Sequence, residues 1–127
     1  MKTSKNNIRY IVVHSSKTLP EELYISIPYH YIIHLNGSIE KSKKLSVTDA
    51  CVQIAYLGGV DKEKHVTDTR TDPQSDSLFN QMVSLSEKFP EARIVGANEV
   101  FGEANNPGFN VKDWLKNYTP KILAEAA

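Results

Sequence analysis

The run Ile8-Arg9-Tyr10-Ile11-Val12-Val13-His14-Ser15 constrains this chain more than any other stretch. β-Branched and aromatic side chains follow one another with almost no polar interruption. Such a run suits a central strand buried on both faces, which points to an α/β architecture. His14 falls at the C-terminal end of the run, where the chain leaves the sheet. Ligand-binding and catalytic groups of α/β proteins commonly sit there.

The remaining elements follow in order. Pro20-Glu21-Glu22-Leu23 can start one helical turn, which Pro28 keeps short. Residues 29–35 (Tyr-His-Tyr-Ile-Ile-His-Leu) read as a second strand. Asn36-Gly37 is a two-residue hairpin signal, with residues 38–41 as the return strand. After a loop over 43–49, residues 51–57 form a further strand ended by Gly58-Gly59. Residues 61–76 are polar and rich in Thr and Asp, a long surface loop. Leu78, Met82, Leu85 and Phe89 recur at helical spacing, predicting an amphipathic helix over 74–89, capped by Ser75 or Asp72 and ended by Pro90. Ile94-Val95 is a last short strand that ends at Gly96 and opens into a loop, closed by Pro107-Gly108. Asn110 caps a final helix over 111–117, with Trp114 and Leu115 facing inward. This order predicts a mixed central β-sheet flanked by helices, with residues 1–127 as one domain.

Composition narrows the function classes. The 15 basic and 15 acidic residues cancel, so no global field draws the chain to nucleic acid or a membrane surface. Lys41, Lys43 and Lys44 form a small basic run, read as a solvated edge rather than a phosphate site. The single Cys51 excludes an intrachain disulfide. The first residues are polar and no apolar segment of signal-peptide length follows, so the chain is expected to be cytoplasmic as synthesised.

Several of these segments together resemble the type 2 family of zinc-dependent N-acetylmuramoyl-L-alanine amidases, which includes phage lysozyme-type amidases and the peptidoglycan recognition proteins. The resemblance is carried by Ile11-Val12-Val13-His14-Ser15-Ser16, by Tyr29-His30-Tyr31-Ile32-Ile33 with Asn36-Gly37, and by Ile54-Ala55-Tyr56-Leu57-Gly58-Gly59-Val60-Asp61. Ile94-Val95-Gly96, Pro107-Gly108-Phe109-Asn110-Val111 and Trp114-Leu115 complete it. It implies an amide hydrolase that cuts between muramic acid and L-alanine. The zinc would be held by two His and one Cys, with the fourth position open for water. It also implies an assisting Tyr and a Lys near the developing oxyanion.

Carried over residue by residue, the resemblance matches His14 to the first ligand and Tyr29 to the assisting tyrosine. The second ligand position holds Ala97 and the third Asn106, and Glu103 or Ala104 stands where the Lys is expected. Asn106 can hydrogen-bond in place of a metal, and small Ala97 suits a site that no longer holds a cation. The cleft is expected to be shorter and more open, because Ser42, Lys43 and Lys44 lead almost directly to the next strand.

Other candidates have structural readings. On a strand His30 and His34 would lie roughly 13 Å apart and cannot share an ion. His65 falls in the long loop, and Cys51 reads as a small buried hydrophobe rather than a nucleophile. The sequence therefore points to an amidase-like pseudoenzyme with no cofactor, where active relatives carry zinc. Its remnant cleft at His14, Tyr29, Ala97 and Asn106 would bind peptidoglycan fragments (muropeptides) or a protein partner. One alternative is an active amidase with a metal site rebuilt from His14 and Glu99, Glu103 or His65. The other is a regulatory or interaction protein that kept the scaffold alone. Release by lysis, as for phage endolysins, would carry it to the cell wall.

Overall fold

A computed structural model describes residues 7–20, 29–46, 49–102 and 105–118. The strands are β1 (Tyr10–Ser15), β2 (Tyr31–Ile33), β3 (Ile39–Lys41), β4 (Cys51–Tyr56) and β5 (Arg93–Gly96). The helices are α1 (Asp72–Lys88), α2 (Ala97–Val100) and α3 (Val111–Asn117). The strands form one sheet in the order β3-β2-β4-β1-β5. β1 is parallel to both β4 and β5, β2 is parallel to β4, and only β3 runs antiparallel at the edge. This is the mixed sheet expected from the sequence.

β1 is central because its residues have nothing to offer solvent: Ile11 to Ser15 are all buried. Strand alternation divides them. Ile11 and Val13 join Ile33, Val52, Ile54 and Tyr56 in the main core, with Leu78, Met82 and Leu85 of α1 and Val111 of α3 packed on them. Val12 turns to the other face and packs with Val95 and Ala97. His14, two residues after Val12, shares that second face.

The helix boundary differs from the expected one. Thr71, not Ser75 or Asp72, caps α1: its hydroxyl accepts from the Gln74 N–H (3.1 Å), and the Thr71 N–H donates to the Gln74 side chain (2.9 Å). This reciprocal box, with Pro73 in the first turn, starts the helix at Asp72 and shortens the preceding loop. The Thr71 hydroxyl also donates to the Leu35 carbonyl at 2.7 Å, tying the helix start to the hairpin. Thr71→Ala is therefore expected to cost about 1–2 kcal/mol in urea unfolding. The buried Gln74 goes further, donating to the carbonyls of Ile33 (3.1 Å) and Leu57 (3.0 Å) where β2 and β4 end.

The hairpin differs too. Its loop is three residues, 35–37, because the His34 N–H donates to the Ser38 carbonyl and the Gly37 N–H to the His34 carbonyl. Gly37 has φ +91°, the left-handed residue that such a three-residue loop requires. The long loop before α1 is held by Arg70. Its guanidinium lies 3.5 Å from the centre of the Phe109 ring, and pairs with Asp68 through two 2.9 Å bonds. α3 begins at Asn110, whose side chain accepts from the Asp113 N–H, as expected. Trp114 and Leu115 are half-buried against the core, and Val111 is the fully buried residue. The expected turn after Pro20 lies outside the described residues.

Candidate functional site

The C-terminal ends of β1 and β5 lie side by side, since Val13 is in register with Gly96. His14 follows directly and is 2% exposed. Its ring sits 5.0 Å from that of Tyr29, tilted, and 5.7 Å from that of Phe101, stacked at 22°. The Tyr29 hydroxyl donates to the Ser15 carbonyl at 3.4 Å. His14 is thus walled by two aromatic rings, one of which comes from the far end of the chain.

After β5 the chain does not open straight into a loop. It makes the one-turn helix α2, whose start is fixed by the Gly96 N–H donating to the Glu99 carboxylate at 2.9 Å. Ala97 is its first residue, fully buried with Val12 and Val95. Asn106 is also fully buried. Its side-chain oxygen accepts from the Ser15 N–H (2.8 Å), and its carbonyl accepts from the Asn98 N–H (2.8 Å). Asn106 thereby clamps the end of β1 to the start of α2. A cis Asn106–Pro107 bond follows, and the Pro107 carbonyl accepts from the buried Tyr56 hydroxyl at 2.6 Å. Burial pushes the Tyr56 hydroxyl well above its ordinary pKa, so it stays a neutral donor.

The four residues singled out from the sequence therefore fall in one neighbourhood: Tyr29 against His14, Asn106 on Ser15, and Ala97 beside Asn98. As a zinc-binding set they do not fit. A tight site takes three protein donors in tetrahedral array. Ala97 has no donor atom, and the Asn106 side-chain oxygen already accepts from the backbone of Ser15.

Glu99, Glu103 and His65 are the candidates for a rebuilt metal site. Glu99 caps α2, and Glu103 lies outside the described residues. His65 is 76% exposed and sits beside Asp61 at 3.6 Å. With Glu63 these two form a surface group whose ligand atoms lie within 4.8 Å of one another. Their bonds within the loop, Glu63 and His65 N–H to the Asp61 carboxylate, account for the grouping. His30 is buried: its Nδ1 accepts from the Gln53 N–H (2.9 Å) and its Nε2 meets Asp49 at 3.2 Å. His34 meets Glu40 at 2.9 Å. His30 is a buried structural histidine and His34 a partly exposed one, within the structural or surface role expected for both. Cys51 is half-buried, and burial raises its thiol pKa, which disfavours the nucleophilic thiolate.

Beside Ala97 and Asn106 lies a hollow of about 430 Å³ lined by Thr67, Asn98, Asn105, Phe109 and Asn110. It is uncharged and rich in amides. Phe101 and Asn98 had no signal in the sequence, because each becomes part of the site through the tertiary approach of α2 to β1.

Comparison with known proteins bears on this geometry. The chain is 23% identical over 104 residues to an endolysin of Enterobacteria phage K11, a match covering 76% of this chain and 68% of that one. Among solved structures it is similar to the Ph2119 endolysin from the Thermus scotoductus MAT2119 bacteriophage Ph2119. That match has a TM-score of 0.63 and 17% identity, and covers 90% of this chain and 89% of the endolysin. It is also similar to PGRP-SA of Apis mellifera, with a TM-score of 0.56, 15% identity, and coverage of 94% and 91%. The fold is the one these proteins share. No family model matches the sequence. Among the described residues, no helix is long and apolar enough to cross a membrane.

Proposed function

We propose that this chain is a single amidase-like domain that binds peptidoglycan fragments at the end of β1 and does not perform zinc hydrolysis. The observation that carries the reading is the chemistry beside His14. On the assignment the resemblance implies, the positions of the family's other two ligands hold a sealed alanine and an asparagine engaged with Ser15. The amide-lined hollow next to them offers paired donors and acceptors to acetamido and peptide groups. Resemblance to a phage endolysin and to PGRP-SA supports peptidoglycan as the ligand class over an unrelated protein partner.

The test is elemental analysis of protein purified without added zinc, beside a wall-lysis assay and a thermal-shift titration with a muropeptide. The reading requires no stoichiometric metal, no lysis, and a melting temperature that rises with muropeptide concentration. Zinc with lysis would mean a rebuilt site. The absence of any muropeptide shift would leave a scaffold with another use.

His14 gives a second check. With no metal to lose, His14→Ala is expected to cost about 1–2 kcal/mol in urea unfolding, from the lost side-chain contacts. A larger loss that zinc chelation of the wild type reproduces would contradict the proposal.

A further inference from the structure

The sheet has another hollow at the opposite end of its parallel strands, where β2 and β4 begin. It encloses about 510 Å³. Lys41 ends β3, Lys43 and Lys44 follow it, and Lys88 comes from the last turn of α1; all four line the space. Among the described residues, no acidic one does. None of the four forms an ion pair within 4 Å among the described residues. The chain as a whole carries no net charge, so this concentration of cations is local. Lys88 alone has a structural explanation, at a helix C-terminus and 5.7 Å from the Phe89 ring. That explanation does not extend to the other three, of which Lys43 also attracts the nearby Asp49 carboxylate, while Lys41 and Lys44 have no acidic partner within 4 Å among the described residues.

The floor is apolar. Val52 is fully buried and Leu85 nearly so, while Tyr31, Leu45 and Phe89 are half-buried around them. A solvated basic edge needs no such floor. Four like charges around one hollow repel each other, and a dianion placed among them relieves that repulsion. A bare inorganic anion would leave Tyr31 and Phe89 uncovered, whereas a flat apolar group would pack on them. The volume lies within the usual range of small-molecule sites.

We infer that this hollow binds a small phosphate ester, its phosphate held by Lys41, Lys43, Lys44 and Lys88 and its flat apolar group on Tyr31 and Phe89. The site is separate from the His14 end and independent of the function proposed there.

Adenosine 5′-monophosphate is a suitable probe, because it joins a dianion to an aromatic ring. The full chain would be titrated calorimetrically at low ionic strength with this compound, with adenosine and with inorganic phosphate. Saturable binding is expected, at least about tenfold tighter than either fragment and weakened by added salt. The variant Lys44→Glu changes one exposed side chain and leaves the Lys43–Asp49 attraction in place, and should unfold at the same urea concentration as the wild type while losing about tenfold or more in affinity. Three results would overturn the inference: no saturable binding, adenosine binding as well as its phosphate, or a variant with unchanged affinity. So would binding to phosphatidylglycerol vesicles without binding to the nucleotide, which would make this face a membrane contact instead.

Discussion

Ala97→His combined with Asn106→Cys is expected to give the chain near-stoichiometric zinc binding. The two positions come to the end of β1 by different routes. Ala97 arrives as the first residue of α2, packed beside Val12. Asn106 arrives through its bond to the Ser15 N–H. With His14 they would supply two imidazoles and a thiolate, a sufficient donor set for zinc with one position left for water. The variant should be less stable without metal. An imidazole at fully buried Ala97 overpacks the Val12–Val95 cluster by about 1–3 kcal/mol. Loss of the Asn106 amide leaves the Ser15 N–H without its acceptor, at about 1–3 kcal/mol more. Phe101 stacks on His14, but it is 46% exposed and can swing out at little cost. Elemental analysis and thermal melts decide the matter. Zinc should raise the melting temperature of the double variant and leave the wild type unmoved. A double variant that takes up no zinc would show that residues 97 and 106 do not stand at ligand positions.

How much of this was legible beforehand depends on how local each signal is. β1 was readable because an unbroken apolar run has few other fates. α1 and α3 were readable from helical spacing and from the Asn110 cap. The cap of α1 was written in the sequence as Thr71-Asp72-Pro73-Gln74, a capping box with Pro in the first turn, but competing Ser and Asp residues nearby obscured it. The hairpin loop was placed one residue short, because Asn-Gly signals both a two-residue turn and the left-handed end of a longer one. α2 had no local signal of its own. One turn of helix survives there only because Glu99 folds back on Gly96 and Asn106 closes over Asn98. The same holds for Phe101 against His14. Positions 97 and 106 were assigned from the resemblance alone, whereas the burial of Ala97 at the start of α2 had no local signal.

Gly59→Ala is expected to be the most destabilising single substitution near the site, costing about 3–5 kcal/mol in urea unfolding. Gly59 has φ +102°, where an L side chain is strained. A Cβ added there would lie 2.1 Å from the Ser15 Oγ and 2.3 Å from its Cβ. Ser15 has no room to retreat. It is fully buried, its N–H holds Asn106 and its carbonyl takes the Tyr29 hydroxyl. Gly59 is itself pinned, since its N–H donates to the Thr69 hydroxyl and its carbonyl accepts from the Thr67 N–H. The clash is therefore passed to the groups that define the candidate site, and muropeptide binding should weaken together with stability. Gly102→Ala provides the control. Gly102 also has positive φ, at +66°, but nothing lies within 4 Å of its added Cβ. It should lose only the backbone preference, about 1 kcal/mol, and leave ligand binding unchanged. If the two substitutions cost the same, the strain at Gly59 is merely conformational, and Ser15 is not the rigid post on which His14 and Asn106 are set.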